Sequence, residues 1–355
     1  MNKKNIATTS ERYRADAKLL VINAEESDII TKEPIYYLKR NAFVDQFEEG
    51  DVIVANGAAT LPASFSGIHW ESGLPIELRL AQSLNAEVDQ FSLWKAVVLG
   101  DGDWRMPTEA RTKVPHLNVG NTFKFDHGLS AKVNAIATEN SRLVDIEFIP
   151  DEGQLLHLLY QAGRLIQYSY HQENLELWDG QTIFAGKPIA LEPPSASFPL
   201  TWETILTLDQ KGVQVVYLFH AAGISSTGEE ELDQLLPLPE YYEIPSTTAE
   251  AINRAKVENQ RIIALGTSVT RALESAVDET GRVRAGEGIA HLLLSPTYER
   301  KIVTGLLTGM HEDGTSHLQL LQSFAPWSLI ERSYDRAKKL GYLWHEYGDS
   351  CLIFA

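Results

Sequence analysis

The segment Arg261-Ile-Ile-Ala-Leu-Gly-Thr-Ser-Val-Thr-Arg-Ala-Leu-Glu274 decides the fold, because a short apolar run stops at Gly-Thr-Ser and continues as a helical pattern. It predicts a strand, a tight turn and the first turn of a helix. A helix start offers unpaired N–H groups and partial positive charge, so Thr267, Ser268 and Arg271 are placed to bind a carboxylate, phosphate or ribose. An ordinary strand-to-helix turn with a capping hydroxyl is the alternative.

The same alternation of strand and helix extends around this segment. A helical pattern at 201–211 stops at Gly212 and is followed by an apolar strand at 213–219. Capping boxes at 247–250 and 328–331 predict the starts of two further helices. Strands that alternate with helices predict an α/β class with a mostly parallel sheet.

Residues 66–150 have a different texture, with short alternating runs separated by turns. Five or six strands at this spacing predict a small antiparallel β-barrel. The sequence therefore predicts two domains: a discontinuous α/β domain made of residues 11–65 and 151–355, and a barrel domain at 66–150.

Composition narrows the class of protein. The chain has 355 residues, a net charge of −17 and one cysteine, Cys351. A single cysteine excludes an intrachain disulfide and a cysteine-based zinc site, and the acidic balance excludes nucleic-acid binding through a general basic footprint. No apolar run has the length of a membrane span or the form of a secretory signal, which predicts a cytoplasmic protein without membrane contact.

Histidines are the first candidates for chemistry. His220 follows the strand 213–219 and precedes a loop of small residues, so it is expected at the carboxyl edge of the sheet, where ligands bind in open α/β folds. A histidine that only caps the strand end is the alternative. His311 and His317 lie in a polar loop at 307–318, which favours a catalytic or substrate-contacting loop over a metal site.

Three further runs carry polar groups that suit a ligand. Gln181 and Thr182 offer an amide and a hydroxyl to a polar heterocycle. Ser195 lies in the rigid run Glu192-Pro-Pro-Ser-Ala-Ser-Phe198. Asp349, in Tyr347-Gly-Asp349, places a carboxylate on a tight turn before the apolar run at the end of the printed sequence; turn formation alone is its alternative role.

Together these runs resemble the S-adenosylmethionine:tRNA ribosyltransferase-isomerase family of queuosine biosynthesis, over nearly the whole chain. Gly266-Thr-Ser-Val-Thr-Arg-Ala-Leu-Glu274 is similar to that family's G-T-T-S-V-R-A-L-E run. His220 and His311 stand where the family has L-H-V-G and T-N-F-H-L-P. The order of the runs agrees as well. The other matching residues are Asn56 in Gly50-Asp-Val-Ile-Val-Ala-Asn56, Gln181-Thr182, Ser195 in Pro193-Pro-Ser-Ala196, and Tyr347-Gly-Asp349.

The resemblance implies an α/β domain with an inserted small β-barrel. It implies that the ribosyl part of S-adenosylmethionine moves onto the aminomethyl group of a 7-deazaguanine in a tRNA, while adenine and methionine leave. Such chemistry needs a base and an acid but no metal, because the sulfonium is both activator and leaving group. S-adenosylmethionine is thus a co-substrate, and no further cofactor is expected.

The resemblance also implies roles for single residues. His220, His311 and Asp349 are the catalytic candidates, with one of the histidines moving the proton. The substrate-binding candidates are Asn56, Gln181, Thr182, Ser195, Gly266, Thr267, Ser268, Arg271, Glu274 and Tyr347.

Three departures from the family's pattern remove cations and acid/base groups. N-D-T-R-V-x-P-A-R-L becomes Asn56-Gly-Ala-Ala-Thr-Leu-Pro-Ala-Ser-Phe65, and Pro199 stands in place of a histidine. H-x-M-H-x-E has no counterpart, since Leu236-Pro-Leu-Pro-Glu-Tyr-Tyr-Glu243 occupies that region. Three functions therefore remain open: the family's reaction on tRNA, transfer to a small-molecule acceptor, and a non-catalytic sensor of S-adenosylmethionine. The oligomeric state is not predicted.

Overall fold

The computed structural model describes residues 5–24, 34–85, 87, 89–149, 152–311 and 316–355. Strands form a nine-stranded mixed sheet, a closed six-stranded barrel and a two-stranded ribbon. In chain order the strands are β1 Lys18–Asn23, β2 Ile35–Lys39, β3 Val52–Asn56, β4 Ala58–Thr60, β5 Ser64–His69, β6 Leu74–Ser83, β7 Leu93–Gly100, β8 Thr122–Phe125, β9 Ser130–Ile136, β10 Leu143–Phe148, β11 Lys187–Ala190, β12 Gln214–His220, β13 Glu240–Ile244, β14 Ile262–Leu265, β15 Gly286–Ala290, β16 Gly305–Gly309 and β17 Ser350–Phe354.

Seven α-helices connect or cover these strands in the described part of the chain. They are α1 Glu152–Ala162, α2 Trp202–Gln210, α3 Glu230–Asp233, α4 Ser246–Val257, α5 Thr267–Ser275, α6 Ser316–Leu321 and α7 Trp327–Lys339. None of these helices has the length and apolar composition needed to cross a membrane.

The large sheet has the order β15-β13-β12-β3-β14-β16-β17-β1-β2. Its four middle strands, β12, β3, β14 and β16, are all parallel, and β17 pairs parallel with β1. The remaining neighbouring pairs are antiparallel, so the sheet is mixed and its parallel character is concentrated in the middle. The predicted α/β class is confirmed, with this detail of the sheet added.

Both faces of β3, β14 and β16 are buried, as expected for parallel strands covered by helices, whereas β12 is buried mainly towards its carboxyl end. Val52, Val54 and Ile262 face one apolar cluster, which includes residues of α4, α5 and α7. Ile53 and Ile263 face the other, which includes Leu208 of α2. Alternate residues of each strand therefore serve opposite layers.

The predicted antiparallel barrel is confirmed. Strands β5 to β10 close in the order β10-β7-β6-β5-β8-β9, and every neighbouring pair is antiparallel. In the chain the barrel falls between β3 and β12, which are neighbours in the sheet. It is therefore an insertion into the α/β unit.

The barrel core also contains side chains from outside residues 66–150. Leu155 and Leu159 of α1 pack with it, as do Leu191 and Ile224 from loops next to the large sheet. The predicted boundary between residues 150 and 151 lies outside the described residues, and the two-domain division stays a prediction.

The two predicted capping boxes are wrong in detail. The helices α4 and α7 each begin two residues earlier than the capping boxes imply: their N-caps are Pro245 and Pro326 instead of Thr247 and Ser328, and neither has a side-chain cap. Proline at this position supplies a preset backbone angle and needs no N–H partner, so the helix start does not depend on the hydroxyls that follow. Thr248 instead donates to the carbonyl of Tyr217 at 2.7 Å.

Candidate functional site

Four adjacent parallel strands end at one edge of the sheet and bring the predicted residues together. Asn56 ends β3, His220 ends β12, Gly266 follows β14, and His311 lies two residues after β16. The N-terminal end of the antiparallel β17, preceded by Asp349, lies at the same edge, since Gly309 pairs with Ser350. This is the edge where open α/β sheets bind ligands.

Asn56 joins the ends of two strands. Its Nδ2 donates to the carbonyl of His220 at 2.9 Å, and its Oδ1 accepts from the N–H of His220 at 3.0 Å and from that of Ala58 at 3.0 Å. The amide is fully buried. Asn56 therefore holds the carboxyl ends of β3 and β12 together at this edge.

The start of α5 is partly exposed at this edge. Gly266 has φ +98°, which the missing side chain permits, and a Cβ there would meet Ala196 at 3.4 Å. Thr267 and Ser268 follow, both partly exposed, and their hydroxyls make no hydrogen bond with the described residues. The first N–H groups of the helix have no intrahelical partner either, so this turn can bind an anion or a hydroxyl-rich group.

Arg271, one turn further along α5, is committed to the protein. It is 7% exposed, pairs with Glu240 through Nη1, and donates to the carbonyls of Leu292 and Ala290 at 3.1 and 3.3 Å. Burial raises the pKa of Glu240, and the Arg271 charge opposes that shift. Arg271 thus holds the floor of the site, and a direct role in ligand binding stays a prediction.

His220 lies beneath this ion pair. It has no exposed surface, and its Nε2 is 3.4 Å from Oε2 of Glu240. Burial, together with the Arg271 charge, lowers the pKa of His220 to about 3. The imidazole is neutral in the folded protein, and no atom of it is accessible to a substrate.

His311 and His317 form a stacked pair at the end of β16. Their ring centroids are 4.9 Å apart with a 6° interplanar angle, and His311 Nε2 is 2.6 Å from the hydroxyl of Thr308. Burial and the neighbouring histidines lower the pKa of His311 well below its usual range, while burial and Arg271 lower the pKa of His317 to about 4. Both residues are partly exposed and their imidazoles are neutral, so each offers a ring nitrogen for a hydrogen bond with a bound molecule, while their lowered pKa values make them weak bases.

Metal chemistry was the alternative for this loop. Among the described residues, no three His, Cys, Asp or Glu side chains lie close enough together to hold a metal ion. Glu312 and Asp313, which the sequence places beside His311, lie outside the described residues.

The carboxylates of Asp349 and Glu274 are occupied by hydrogen bonds within the protein. Asp349 is 1% exposed and accepts from Arg14 at 2.7 Å and from the N–H of Lys18 and Leu343 at 2.8 and 2.9 Å. Glu274 accepts from three consecutive N–H groups, at residues 301 to 303, at 2.9 to 3.0 Å. Both carboxylates fix loops that border the edge, and the catalytic role of Asp349 stays a prediction.

The remaining predicted residues form the far wall. Gln181 pairs with the backbone of Thr60, accepting at 3.0 Å and donating at 2.9 Å, and the Thr182 hydroxyl accepts from Phe184 at 3.2 Å. Tyr347 donates to the carbonyl of Asp179 at 2.8 Å. Ser195, in a single 3-10 turn, is partly exposed and lies next to the Gly266 turn through Ala196.

Sequence reasoning missed a group of acids and tyrosines beside this wall. Glu192 accepts from Tyr168, whose ring stacks on Tyr170 at 5.8 Å, and Tyr170 donates to Glu346 at 2.6 Å. Glu240, the partner of Arg271, was missed too. The aromatic run Tyr168-Ser-Tyr170 and the acid before Pro193 were the available signals, but neither belongs to a motif.

The chain is similar to known proteins over nearly its whole length. The model of the family described as "Queuosine biosynthesis protein" matches residues 1–353. A protein of Chloroherpeton thalassium named S-adenosylmethionine:tRNA ribosyltransferase-isomerase is 29% identical, over 99% of this chain and 97% of its own. One of the same name from Carboxydothermus hydrogenoformans is also 29% identical, over 98% and 96%. The crystal structure of an S-adenosylmethionine tRNA ribosyltransferase from Thermotoga maritima is 20% identical, covers 99% of both chains and has a TM-score of 0.48.

Proposed function

Since this chain belongs to the queuosine biosynthesis protein family, a family of transferases, we propose that it transfers and isomerises the ribosyl group of S-adenosylmethionine. One observation carries the proposal: the ends of four parallel strands meet at an edge with the start of α5, where the hydroxyls of Thr267 and Ser268 have no partner among the residues that the structure describes. The ribose hydroxyls and the carboxylate of the donor are groups that such a turn binds.

The site residues divide into two sets by exposure. Thr267, Ser268, Ser195 and His311 are partly exposed and contact the donor in this proposal. The buried set positions them: Asn56, Thr182, His220, Arg271, Glu274, Tyr347 and Asp349. Gln181 is partly exposed, but its amide is bound to the backbone of Thr60, so it also serves as a positioning residue. The sulfonium makes the carbon beside it acidic and provides the leaving group, so the proposal includes no metal and no cofactor besides the donor.

We propose the 7-aminomethyl-7-deazaguanine of a tRNA as the acceptor, giving epoxyqueuosine, and a cytoplasmic location with it. A small-molecule acceptor is the second candidate, and one structural observation favours it. Residues 57–65, where the family's pattern has an acid and two arginines, are small or apolar and almost entirely buried. The segment therefore lacks cations that could pair with phosphates, and a net charge of −17 provides no general basic footprint in their place.

Two measurements test the donor. S-adenosylmethionine should raise the melting temperature through preferential binding to the folded state, and turnover should release adenine. Ser268→Ala should weaken donor binding by about 2- to 12-fold, the loss of one hydrogen bond. Ser328→Ala is the matched control, because Ser328 is also the second residue of its helix, α7, and is exposed.

Labelled donor then separates the acceptors. Incubation with bulk tRNA and, in parallel, with a metabolite extract should place ribosyl label in tRNA if the first candidate is right. Label only in the extract supports the small-molecule acceptor. Saturable binding without adenine release in either mixture would refute the transferase proposal and indicate a sensor.

A further inference from the structure

Glu192 lies next to the proposed donor site but belongs to none of its predicted residues. It comes three residues before Ser195. Its N–H approaches the carbonyl of Ala222 at 3.4 Å, and the N–H of Ala222 in turn donates to the carbonyl of His220 at 3.0 Å. Glu192 therefore lies between the loop after β12 and the turn that packs against Gly266.

The Glu192 carboxyl group is held by one oxygen only. Its Oε1 accepts from the hydroxyl of Tyr168 and from the N–H of Ser225 at 3.1 Å. None of the hydrogen bonds within the described residues ends on Oε2, and the side chain remains partly exposed. One oxygen is fixed and the other is open, which is the arrangement required to exchange a proton with a bound molecule.

Tyr168 is itself firmly placed. Its ring stacks on Tyr170 with centroids 5.8 Å apart and a 16° interplanar angle, and the Arg79 guanidinium lies 6.0 Å from its ring centroid. The Arg79 guanidinium forms its ion pair with Glu77, with Nε 2.6 Å from Oε1, and not with Glu192. Tyr168 thus acts as a fixed donor that orients the carboxyl group.

The surroundings also set the proton affinity of Glu192. Burial is the main cause that raises its pKa to about 7; the contacts with Ser225 and Tyr168 oppose the shift, and the charge of Glu346 adds to it. A carboxyl group that is half protonated near neutral pH can serve as an acid and as a base in one cycle. The exposed acids elsewhere in the chain lack this enclosure.

We propose that Glu192 is the catalytic acid and base of the ribosyl transfer, with Tyr168 as its positioning residue; this inference rests on the proposed function. As the bond from ribose C1′ to adenine breaks, its electron pair goes to adenine and Oε2–H gives adenine a proton. The nucleophilic atom of the acceptor forms a bond to C1′ and gives its proton to the Glu192 carboxylate. Glu192 ends protonated, as it began, and adenine leaves as the neutral base.

The test measures adenine release from S-adenosylmethionine between pH 5 and 9, with the acceptor mixture that supports wild-type turnover. The pH–rate profile of the wild type should have a limb, a range in which the rate changes with pH, with an apparent pKa near 7. Glu192→Gln should lower kcat by about 10²- to 10⁴-fold with little change in KM for the donor, and should remove that limb. Glu203→Gln, on the exposed face of α2, is the matched control and should behave as wild type.

Tyr168→Phe distinguishes positioning from catalysis. Its hydroxyl favours the ionised form of Glu192, so its removal should move the limb to higher pH while turnover is partly retained. A donor-induced rise in melting temperature, measured for each variant, shows that the fold is intact. Infrared difference spectra of wild type against Glu192→Gln should show a carboxyl C=O band that titrates near pH 7, without any turnover.

The two proposals fail in different ways. Adenine release by Glu192→Gln at the wild-type rate and with the same limb overturns the role of Glu192 and leaves the proposed function intact. A carboxyl band that titrates below about pH 5 also overturns it, since that is the range of an ordinary exposed acid. No adenine release by the wild type overturns the proposed function, and the catalytic role of Glu192 with it.

Discussion

His220 illustrates how strongly burial acts on one residue. Its residue type and its place at a strand end pointed to proton transfer, but the ring is fully buried and its pKa is about 3. Glu192 has the opposite properties: an unremarkable sequence context, partial exposure and a pKa near 7. Exposure and proton affinity arise from residues far apart in the chain, so the sequence alone could place His220 at the edge but could not reveal its burial or the raised pKa of Glu192.

His220 should make the protein less stable in acid. The pKa of His220 is about 6.5 when unfolded and about 3 when folded, so between these values the unfolded chain binds one more proton than the folded protein. The free energy of unfolding therefore decreases as the pH is lowered. One such group contributes about 1.4 kcal/mol per pH unit. The slope of the unfolding free energy, measured by urea titration between pH 6 and 4, should be shallower by about that amount in His220→Gln.

Glu192 has the opposite effect on stability in part of this range: its pKa is higher in the folded state, so its protonation as the pH is lowered raises the free energy of unfolding. Comparison of two variants therefore isolates His220 better than the wild-type slope does. The exposed His116 provides the control, since His116→Gln should keep the wild-type slope. Equal slopes in His220→Gln and wild type would show that His220 titrates normally.

The buried pair of Arg271 and Glu240 should be costly to break from one side. Arg271→Met leaves the Glu240 carboxylate buried without its partner and should lower the free energy of unfolding by about 3–5 kcal/mol at pH 7. Urea unfolding measures the loss. Arg105→Met breaks an exposed ion pair with Asp103 and should cost about 1 kcal/mol or less. Similar losses in both variants would contradict the interpretation of Arg271 as the floor of the site.

At the scale of elements, the strand and helix that the Arg261 segment predicted are both present as β14 and α5. Periodicity and glycine position are local signals, which is why most strands and the helix α2 were predictable. The exact starts of α4 and α7 were not, because the preceding prolines set them. The pairing of Asn56 with the β12 end was also invisible, since it joins residues 164 positions apart.

Gly266 should be sensitive to a single methyl group. Gly266→Ala forces an L side chain into φ +98° and brings its Cβ to 3.4 Å from Ala196, so it should destabilise the fold by about 1–3 kcal/mol and abolish the thermal shift with S-adenosylmethionine. Gly286→Ala tests the backbone angle by itself, because its φ is +108° and its Cβ would meet nothing within 4 Å. Gly286→Ala should lose stability but keep the thermal shift with S-adenosylmethionine. Loss of that thermal shift in both variants would contradict a specific role of Gly266 in the site.

At the scale of the whole molecule, the barrel and the α/β unit share apolar side chains. The change of texture near residue 66 predicted the barrel correctly, but no local pattern indicated that α1 packs into it. Amphipathic patterning indicates that one face of a helix is buried without naming what buries it. For the same reason Glu192 and Tyr168, which are brought together by the fold, could not be paired in advance.

Leu159 of α1 should therefore matter to the whole protein. Leu159→Ala removes a fully buried side chain from the barrel cluster and should lower the free energy of unfolding by about 2–5 kcal/mol. Leu206→Ala, at a position 60% exposed on α2, should change it by less than about 0.5 kcal/mol. Both are measured by urea unfolding, and a small loss for Leu159→Ala would mean that α1 is not part of the barrel core.

The pairing of β1 with β17 has a consequence for synthesis of the protein in the cell. Leu19 pairs with Ser350, so β1 emerges from the ribosome long before the strand that joins it to the sheet. At about 5–20 residues per second, the apolar β1–β2 hairpin waits for roughly tens of seconds. The barrel, whose strands are adjacent in the chain, can close while translation continues. Demand for chaperones during synthesis should therefore fall on the N-terminal hairpin rather than on the barrel.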